Sequence, residues 1–205
     1  MHTEVLSSGQ KDLLPIVELF RKEFYLVGGT AIALQFGHRQ SIDFDLFTPK
    51  PFGSRRILNV FRKTEKTVTV TRRVSEQMNL SVDGVKMTFF EYPYPVDVAV
   101  EDTSFRMPDL LSLAAMKAFA LGRRSKWKDY VDLYFLLRDK FSLSEIVQKA
   151  EEIFEEEFSA KLFRSQLAYH KDIDYAEQVD YMPGFAVNDE EVRRFLVDKA
   201  LEGVI

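Results

Sequence analysis

The segment from residue 24 to residue 47 constrains this chain more than any other. Phe24 to Val27 is a short apolar run that reads as a strand, ended by Gly28 and Gly29. Thr30 can cap or open the helix that follows, and Gly37 stops it. Ile42 to Phe47 then alternates its faces as a strand does, until Thr48-Pro49-Lys50-Pro51 breaks it. The helix is short enough for the second strand to return beside the first. Whatever else the chain builds, this strand–turn–helix–strand unit commits it to a sheet.

Around that unit the pattern predicts further elements. Residues 10–23 form a helix with Leu13, Leu14, Val17 and Phe20 on one face and Pro15 in its first turn. Ser54 to Arg62 is a second helix. Strands follow at Thr67–Val74, Met78–Val82 and Val85–Tyr92, the last two joined by Asp83-Gly84, a strong two-residue hairpin signal. Pro93 and Pro95 end the sheet region, and Val96 to Val100 has the composition for one more short strand. From Pro108 the character changes to helices at 108–121, with Pro108 in the first turn and Gly122 as the stop, then 127–138 and 143–158. Met182-Pro183-Gly184 is a break, and Glu190–Leu201 is the last helix. The expected class is α+β: a mixed sheet flanked by helices over residues 1–105, then a helical C-terminal lobe over 106–205, packed closely on the sheet half.

Composition removes several function classes. At 205 residues, 46% hydrophobic and 29% charged, the chain has ample material for a core in one domain or one domain with a helical extension. Its 18 Phe and 8 Tyr fall mostly at helix and strand periods, so they are assigned to packing rather than recognition. The absence of cysteine excludes disulfides and thiolate-bound zinc or iron–sulfur sites. His2, His38 and His170 are too scattered to suggest zinc. The N-terminus has no signal-peptide core, and no run approaches the ~20 apolar residues of a membrane span, so a soluble cytoplasmic protein is expected.

The net charge of −4 is unevenly spread. Lys50, Arg55, Arg56, Arg62, Lys63, Lys66, Arg72 and Arg73 face Glu65 alone in their stretch, and Arg123, Arg124, Lys126 and Lys128 form a second one. Glu151, Glu152, Glu155, Glu156 and Glu157 make the later part acidic. Such asymmetry suits a positive face over a polyanionic substrate, and it equally suits solvated helix and strand faces.

Asp43 and Asp45 carry the chemistry. Separated by one residue on a strand, they point to the same face with Cα atoms about 6.5 to 7 Å apart. Like charges repel in that arrangement, and a divalent cation between them makes it favourable. Magnesium takes oxygen ligands, typically a couple of carboxylates completed by substrate phosphates and water. A metal pair can stabilise the attacking and leaving oxygens of an in-line phosphoryl displacement. Upstream, Gly28-Gly29 lies between strand and helix, where backbone N–H groups can approach a phosphate. Alone, Asp-x-Asp is a weak signal; beside a glycine turn it reads as a triphosphate site.

Gly28-Gly29-Thr30-Ala31, His38-Arg39, Ser41 and Asp43-x-Asp45-Leu46-Phe47 together resemble the first motif of the AbiEii/AbiGii-type nucleotidyltransferase (toxin) family, within the polymerase-β-like nucleotidyltransferase superfamily. Lys117, in Leu113–Ala120, resembles the family's lysine-bearing helix, and Lys128-Asp129-x-x-Asp132-Leu133 its Lys-Asp-x-x-Asp-Leu motif. The resemblance spans residues 24–137. It implies a nucleotidyltransferase-like catalytic core carrying the carboxylates and a helical lobe that helps hold the nucleotide. Asp43 and Asp45 would bind Mg2+ (or Mn2+), with an NTP as substrate. Gly28, Gly29, Thr30, Arg39, Ser41 and Asp132 would serve nucleotide binding, Lys117 would meet triphosphate charge, and Asp129 would orient or deprotonate the attacking group. Superfamily members commonly add a third carboxylate from a neighbouring strand. Glu91 is the one offered here, while Thr88 and Phe89 stand where it would be expected.

The residues themselves leave other readings open. Asp129 and Asp132, three apart on a helix, share a face and suit caps or salt bridges to Lys126 and Lys128. The Lys117 stem can snorkel along an apolar helix. His38 can be a packed or capping histidine, and Ser41 a turn residue. Arg39 has the fork that suits phosphate or carboxylate. The function implied is magnesium-dependent transfer of a nucleotide from an NTP to a hydroxyl of RNA, tRNA included, or of a protein. The chain would then be the toxin of a toxin–antitoxin or phage-defence system, with an antitoxin as partner and no membrane contact. A dehalogenase-like phosphatase also carries Asp-x-Asp after a strand, but it needs Thr or Val where this chain has Leu46. The remaining alternative is a catalytically degenerate domain that binds a nucleotide or a partner.

Overall fold

Ser7 opens the first helix, α1 (Ser8–Glu18), through a reciprocal cap: its hydroxyl accepts from the Gln10 N–H at 3.2 Å, and Gln10 Oε1 accepts from the Ser7 N–H at 3.0 Å. That cap sets the start ahead of residue 10. Pro15 therefore sits in the second half of α1 rather than in its first turn, and its ring forgoes a helical hydrogen bond there. The computed structural model describes residues 1–121 and 123–203. Gly122, expected as a helix stop, lies outside them. The chain divides into two units, Met1–Asp109 and Leu110–Ile205.

In the first unit β1 (Tyr25–Val27) leads directly into α2 (Gly28–Phe36), which ends at Gly37 in the left-handed conformation, φ 84°. Gly28 and Gly29 are thus the first residues of the helix rather than a separate turn, and Thr30 lies inside it instead of capping it. β2 (Asp43–Thr48) returns antiparallel to β1. After α3 (Ser54–Phe61) come β3 (Val68–Arg73), β4 (Gln77–Val82) and β5 (Val85–Glu91). Asp83 and Gly84 take positive φ of 48° and 86°, as a two-residue hairpin requires. The sheet order is β1-β2-β5-β4-β3; β2 and β5 are parallel and the other neighbours antiparallel, so the sheet is mixed.

A separate pair, β6 (Val100–Glu101) and β7 (Arg106–Met107), completes this unit. The strand expected over 96–100 survives only at its last residue, because the Val96 N–H turns back to the Tyr94 carbonyl at 2.9 Å. Pairing with β6 holds β7 in the first unit, which moves the division from 105/106 to 109/110.

Alternation gives the five-stranded sheet two different faces. Phe44, Leu46, Leu80, Met87 and Phe89 are buried on one, where the Phe89 ring meets Phe20 at 4.9 Å and Phe24 at 5.2 Å. Phe20 in turn meets Phe61 of α3 at 6.0 Å. On the other face Asp43, Asp45, Asn79 and Thr88 are only partly covered.

The second unit is helical: α4 (Leu110–Leu121), α5 (Trp127–Asp139), α6 (Leu143–Phe154), α7 (Ala160–Ala168) and α8 (Asp189–Leu201). Pro108 precedes α4 rather than entering it. α6 stops at Phe154 instead of 158, because Glu155 takes a positive φ of 49° and a single 3-10 turn follows. α4 is buried almost all round, as an apolar helix at the centre of a bundle must be. Its Phe119 stacks on Phe154 of α6, centroids 3.9 Å apart. Tyr134 ties α5 to α8 by donating to Glu191 at 2.8 Å. Among the described residues no helix is long and apolar enough to cross a membrane.

The aromatic cluster around Phe89 should carry much of the first unit's stability. Phe89→Ala is expected to cost about 3–5 kcal/mol, read as a lower urea midpoint.

Candidate active site

Asp45 is placed by the strand pair that the sequence predicts. Val27, the last residue of β1, is its cross-strand partner, so the carboxylate arrives where β1 becomes α2. Gly28 has φ 71°, and Asp45 Oδ2 occupies the place where a Cβ would project from it. Arg39 Nη2 fills the corresponding space at Gly29. The room opened by the two missing side chains therefore seats a carboxylate and a guanidinium of the site itself. Arg39 is only 2% exposed, and its Nη1 donates to the Gln40 carbonyl at 2.9 Å.

Asp43 is held from behind. β1 pairs only with residues 45–47 of β2, so Asp43 lies beyond the reach of that ladder. Its carbonyl accepts instead from Gln10 Nε2 of α1 at 3.1 Å and from the Thr30 hydroxyl of α2. Ser41 Oγ sits 2.8 Å from Thr30 Oγ1, and the Ser41 N–H bonds the Val5 carbonyl at 3.2 Å. Thr30 and Ser41, expected to bind nucleotide, are thus both buried and both engaged in fixing the backbone of β2. Gln10 was not foreseen: it looks like an ordinary capping residue, and nothing local reveals that its amide reaches across to residue 43. His38 is fully buried, its ring edge-on to Phe36 at 5.3 Å, which is the packed-histidine alternative.

The register of the neighbouring strands decides what else shares the carboxylate face. Lys86 is level with Asp43 and Thr88 with Asp45 on β5; Asn79 is level with Thr88 on β4, and Arg72 with Asn79 on β3. Glu91 is level with Thr48, three residues past Asp45. By alternation it belongs to the opposite face, about 10 Å along the strand. The register therefore separates Glu91 from the pair it was expected to complete. Among the described residues no three His, Cys, Asp or Glu side chains come together as a metal-binding group.

In the second unit Lys117, Asp129 and Asp132 do meet. Lys117 Nζ lies 2.7 Å from Asp129 Oδ1 and 3.0 Å from Asp132 Oδ2, with Lys117 4% exposed and Asp132 fully buried. Arg124 Nε adds a bond to Asp129 Oδ2 at 2.8 Å. The lysine does not snorkel: its ammonium ends inside, between two carboxylates. Lys126 and Lys128 pair with Glu177 instead of with the aspartates, both at 3.3 Å. Burial by itself would push the Asp129 carboxyl up, but the charges and hydrogen bonds of Lys117 and Arg124 outweigh it and hold it below its ordinary value. With both oxygens engaged by Lys117 and Arg124, the Asp129 carboxylate is suited to holding Lys117.

Two outcomes follow from this cluster. Lys117→Met leaves two buried carboxylates facing each other and should cost about 3–5 kcal/mol in urea unfolding. Because the folded pKa of Asp129 lies below its unfolded value, its stabilising contribution is complete above about pH 4 and is lost as pH falls through the folded value. Asp129→Asn should flatten the fall of the urea midpoint below about pH 4. At the other cluster, Gly28→Ala forces an alanine into left-handed backbone at about 1–2 kcal/mol and pushes the Asp45 carboxylate aside, so thermal stability and any Asp45-dependent activity should fall together.

Comparison with known proteins agrees with this architecture. MenT4, a nucleotidyltransferase toxin from Mycobacterium tuberculosis H37Rv, superposes with a TM-score of 0.61 at 14% identity, over 94% of this chain and 80% of that one. JHP933 from Helicobacter pylori gives 0.56 at 16% identity, over 95% and 91%. At such identities the likeness is one of fold. The uncharacterized protein aq_aa25 of Aquifex aeolicus (strain VF5) is 38% identical over 136 residues, 62% of this chain and 66% of that protein, so the chain spans just under two thirds of that relative's length. The family model described as nucleotidyl transferase AbiEii toxin, type IV toxin–antitoxin system, matches residues 15–93 and 72–201. With nearly the whole chain matched, from before the Asp43–Asp45 strand to the last helix, the protein belongs to the AbiEii nucleotidyltransferase toxin family.

Proposed function

We propose that this nucleotidyltransferase moves a nucleotide from an NTP to a hydroxyl of RNA, tRNA being one such acceptor, or of a protein, and that a cognate antitoxin restrains it. The observation that carries the reading is the placement of Asp43 and Asp45 on one partly open face of β2, beside the glycine-headed start of α2. Their oxygens fit a hard divalent cation: two carboxylates leave coordination positions for phosphate and water, which is how magnesium is usually held. Asp43 and Asp45 would hold Mg2+ (or Mn2+), and the bound ion would supply charge neutralisation at the phosphates.

The chain's own residues supply the rest. Gln10 and Thr30 fix the backbone at Asp43, so that its carboxylate is preorganised rather than mobile. Gly28 and Gly29 let Asp45 and Arg39 approach the start of α2. In the second unit Asp129 and Asp132 hold the Lys117 ammonium in place. In the transfer, the acceptor oxygen forms its bond to the α-phosphorus as the bond to pyrophosphate breaks, and the hydroxyl proton passes to solvent water. The oxygens of Asp129 are engaged by Lys117 and Arg124, so its part is positioning.

The test is incubation with each of the four labelled NTPs, magnesium, total RNA and total protein, alongside Asp43→Asn/Asp45→Asn. Label should enter RNA or protein with the intact pair and fall at least about a hundredfold in the variant, equivalent to about 2.7 kcal/mol in the barrier. Folded protein that incorporates no label from any NTP would favour the non-catalytic binding domain, a reading supported by Thr88 standing level with Asp45 where a carboxylate would complete the site.

A further inference from the structure

The first unit contains a cleft apart from the Asp43–Asp45 face. It has a volume of about 520 Å³, within the usual range for small-molecule sites. Its walls include Lys22, Lys50, Arg106, Tyr25, Phe52 and Tyr94, and none of Asp43, Asp45, Gly28, Gly29 or Arg39. Tyr25 is the cross-strand partner of Phe47, two residues past Asp45, which sets the cleft about 7 Å further along the same strand pair.

Three features give the cleft a chemistry. It is cationic: Glu23 also lines it, but that carboxylate is bonded to Arg56, leaving three positive side chains in the wall. Arg106 is fixed by donating Nε to the Arg21 carbonyl at 3.0 Å, and its planar fork suits phosphate oxygens. It is aromatic: Phe52 and Tyr94 are each braced by a ring neighbour, Phe24 at 5.4 Å and Tyr92 at 4.9 Å, so they stand as firm walls of the kind on which a base stacks. Finally, Tyr25 is 3% exposed, yet its buried hydroxyl has no hydrogen-bond partner among the described residues. A buried unsatisfied hydroxyl is costly unless a ligand or water completes it. Burial also pushes the phenol up, well above its ordinary range, so it stays protonated as a donor.

We propose that this cleft binds a nucleotide unit, an aromatic base carrying a phosphate ester, at a site distinct from the Asp43–Asp45 pair. The phosphate sits among Lys22, Lys50 and Arg106, the base against Phe52 and Tyr94, and the Tyr25 hydroxyl donates to the ligand. A free mononucleotide and the terminal nucleotide of a single strand share that chemistry. Binding at the cleft does not depend on the transfer reaction, so its failure leaves the proposed transferase activity untouched, and the reverse holds.

The experiment is fluorescence anisotropy of ethenoadenosine monophosphate with the full chain. Saturable binding is expected, weakened at least about tenfold by Lys22→Glu/Lys50→Glu, whose lysines are exposed and cost little in folding, and severalfold by Tyr25→Phe. Asp43→Asn/Asp45→Asn should bind the probe as the wild type does. Competition assigns the source: displacement by a 5′-phosphorylated RNA oligonucleotide at lower concentration than by free AMP identifies a strand end, and the reverse order a free nucleotide. Absence of saturable binding, equal competition by unphosphorylated adenosine, binding unchanged in both cleft variants, or binding lost with the Asp43–Asp45 variant would each overturn the proposal.

Discussion

The Asp45 carboxylate fills the space into which a Cβ at residue 28 would project, and this is the constraint around which the first unit is organised. A side chain at residue 28 would occupy the space the carboxylate needs, and the φ of 71° there is one that residues with a Cβ rarely adopt. Residue 28 must therefore be glycine for two reasons at once. With it, β1 can turn straight into α2, and α2 can bring Thr30 to the Asp43 carbonyl. Gln10 closes the arrangement from α1. Three elements thus converge on one strand so that two like charges can stand side by side on its open face.

The second unit solves a different electrostatic problem. A buried ammonium, Lys117, is gathered between two buried carboxylates, Asp129 and Asp132, and the half-exposed guanidinium of Arg124 adds a second positive charge from the surface side. Burial of any one alone would be costly, and only the set makes it tolerable. The charges of Lys117 and Arg124 favour the ionised form of Asp129, whose two oxygens hold those cations. Such a buried cluster is weak evidence for stability, since apolar residues would fill the space at lower cost.

Much of this was legible in the sequence because it depends on short-range periods. A period of two puts Asp43 and Asp45 on one face whatever the rest of the chain does. The Asp83-Gly84 turn follows from the backbone freedom that its two residues supply. The α+β class and the change to helices after residue 108 follow from the same kind of counting. Helix ends were less legible. α1 begins at a capping box that the apolar pattern does not contain, and α6 stops at a residue whose positive φ its side chain does not announce.

By itself, then, the sequence determined the two-unit order of elements, the carboxylate pair and the residues that place the chain in its family. Tertiary structure alone decided which of them meet. Gln10 and Asp43 are joined across 33 residues by a hydrogen bond that no local rule contains. The parallel pairing of β2 with β5 leaves Thr88 beside Asp45 and turns Glu91 to the other face. A one-residue change in that register would have reversed the outcome, because each step along a strand exchanges its faces. Register between distant strands is set by how both bury their apolar sides, Phe44 and Leu46 on β2 and Met87 and Phe89 on β5, and that is a property of the packed core, where the Phe89 ring meets Phe20 and Phe24.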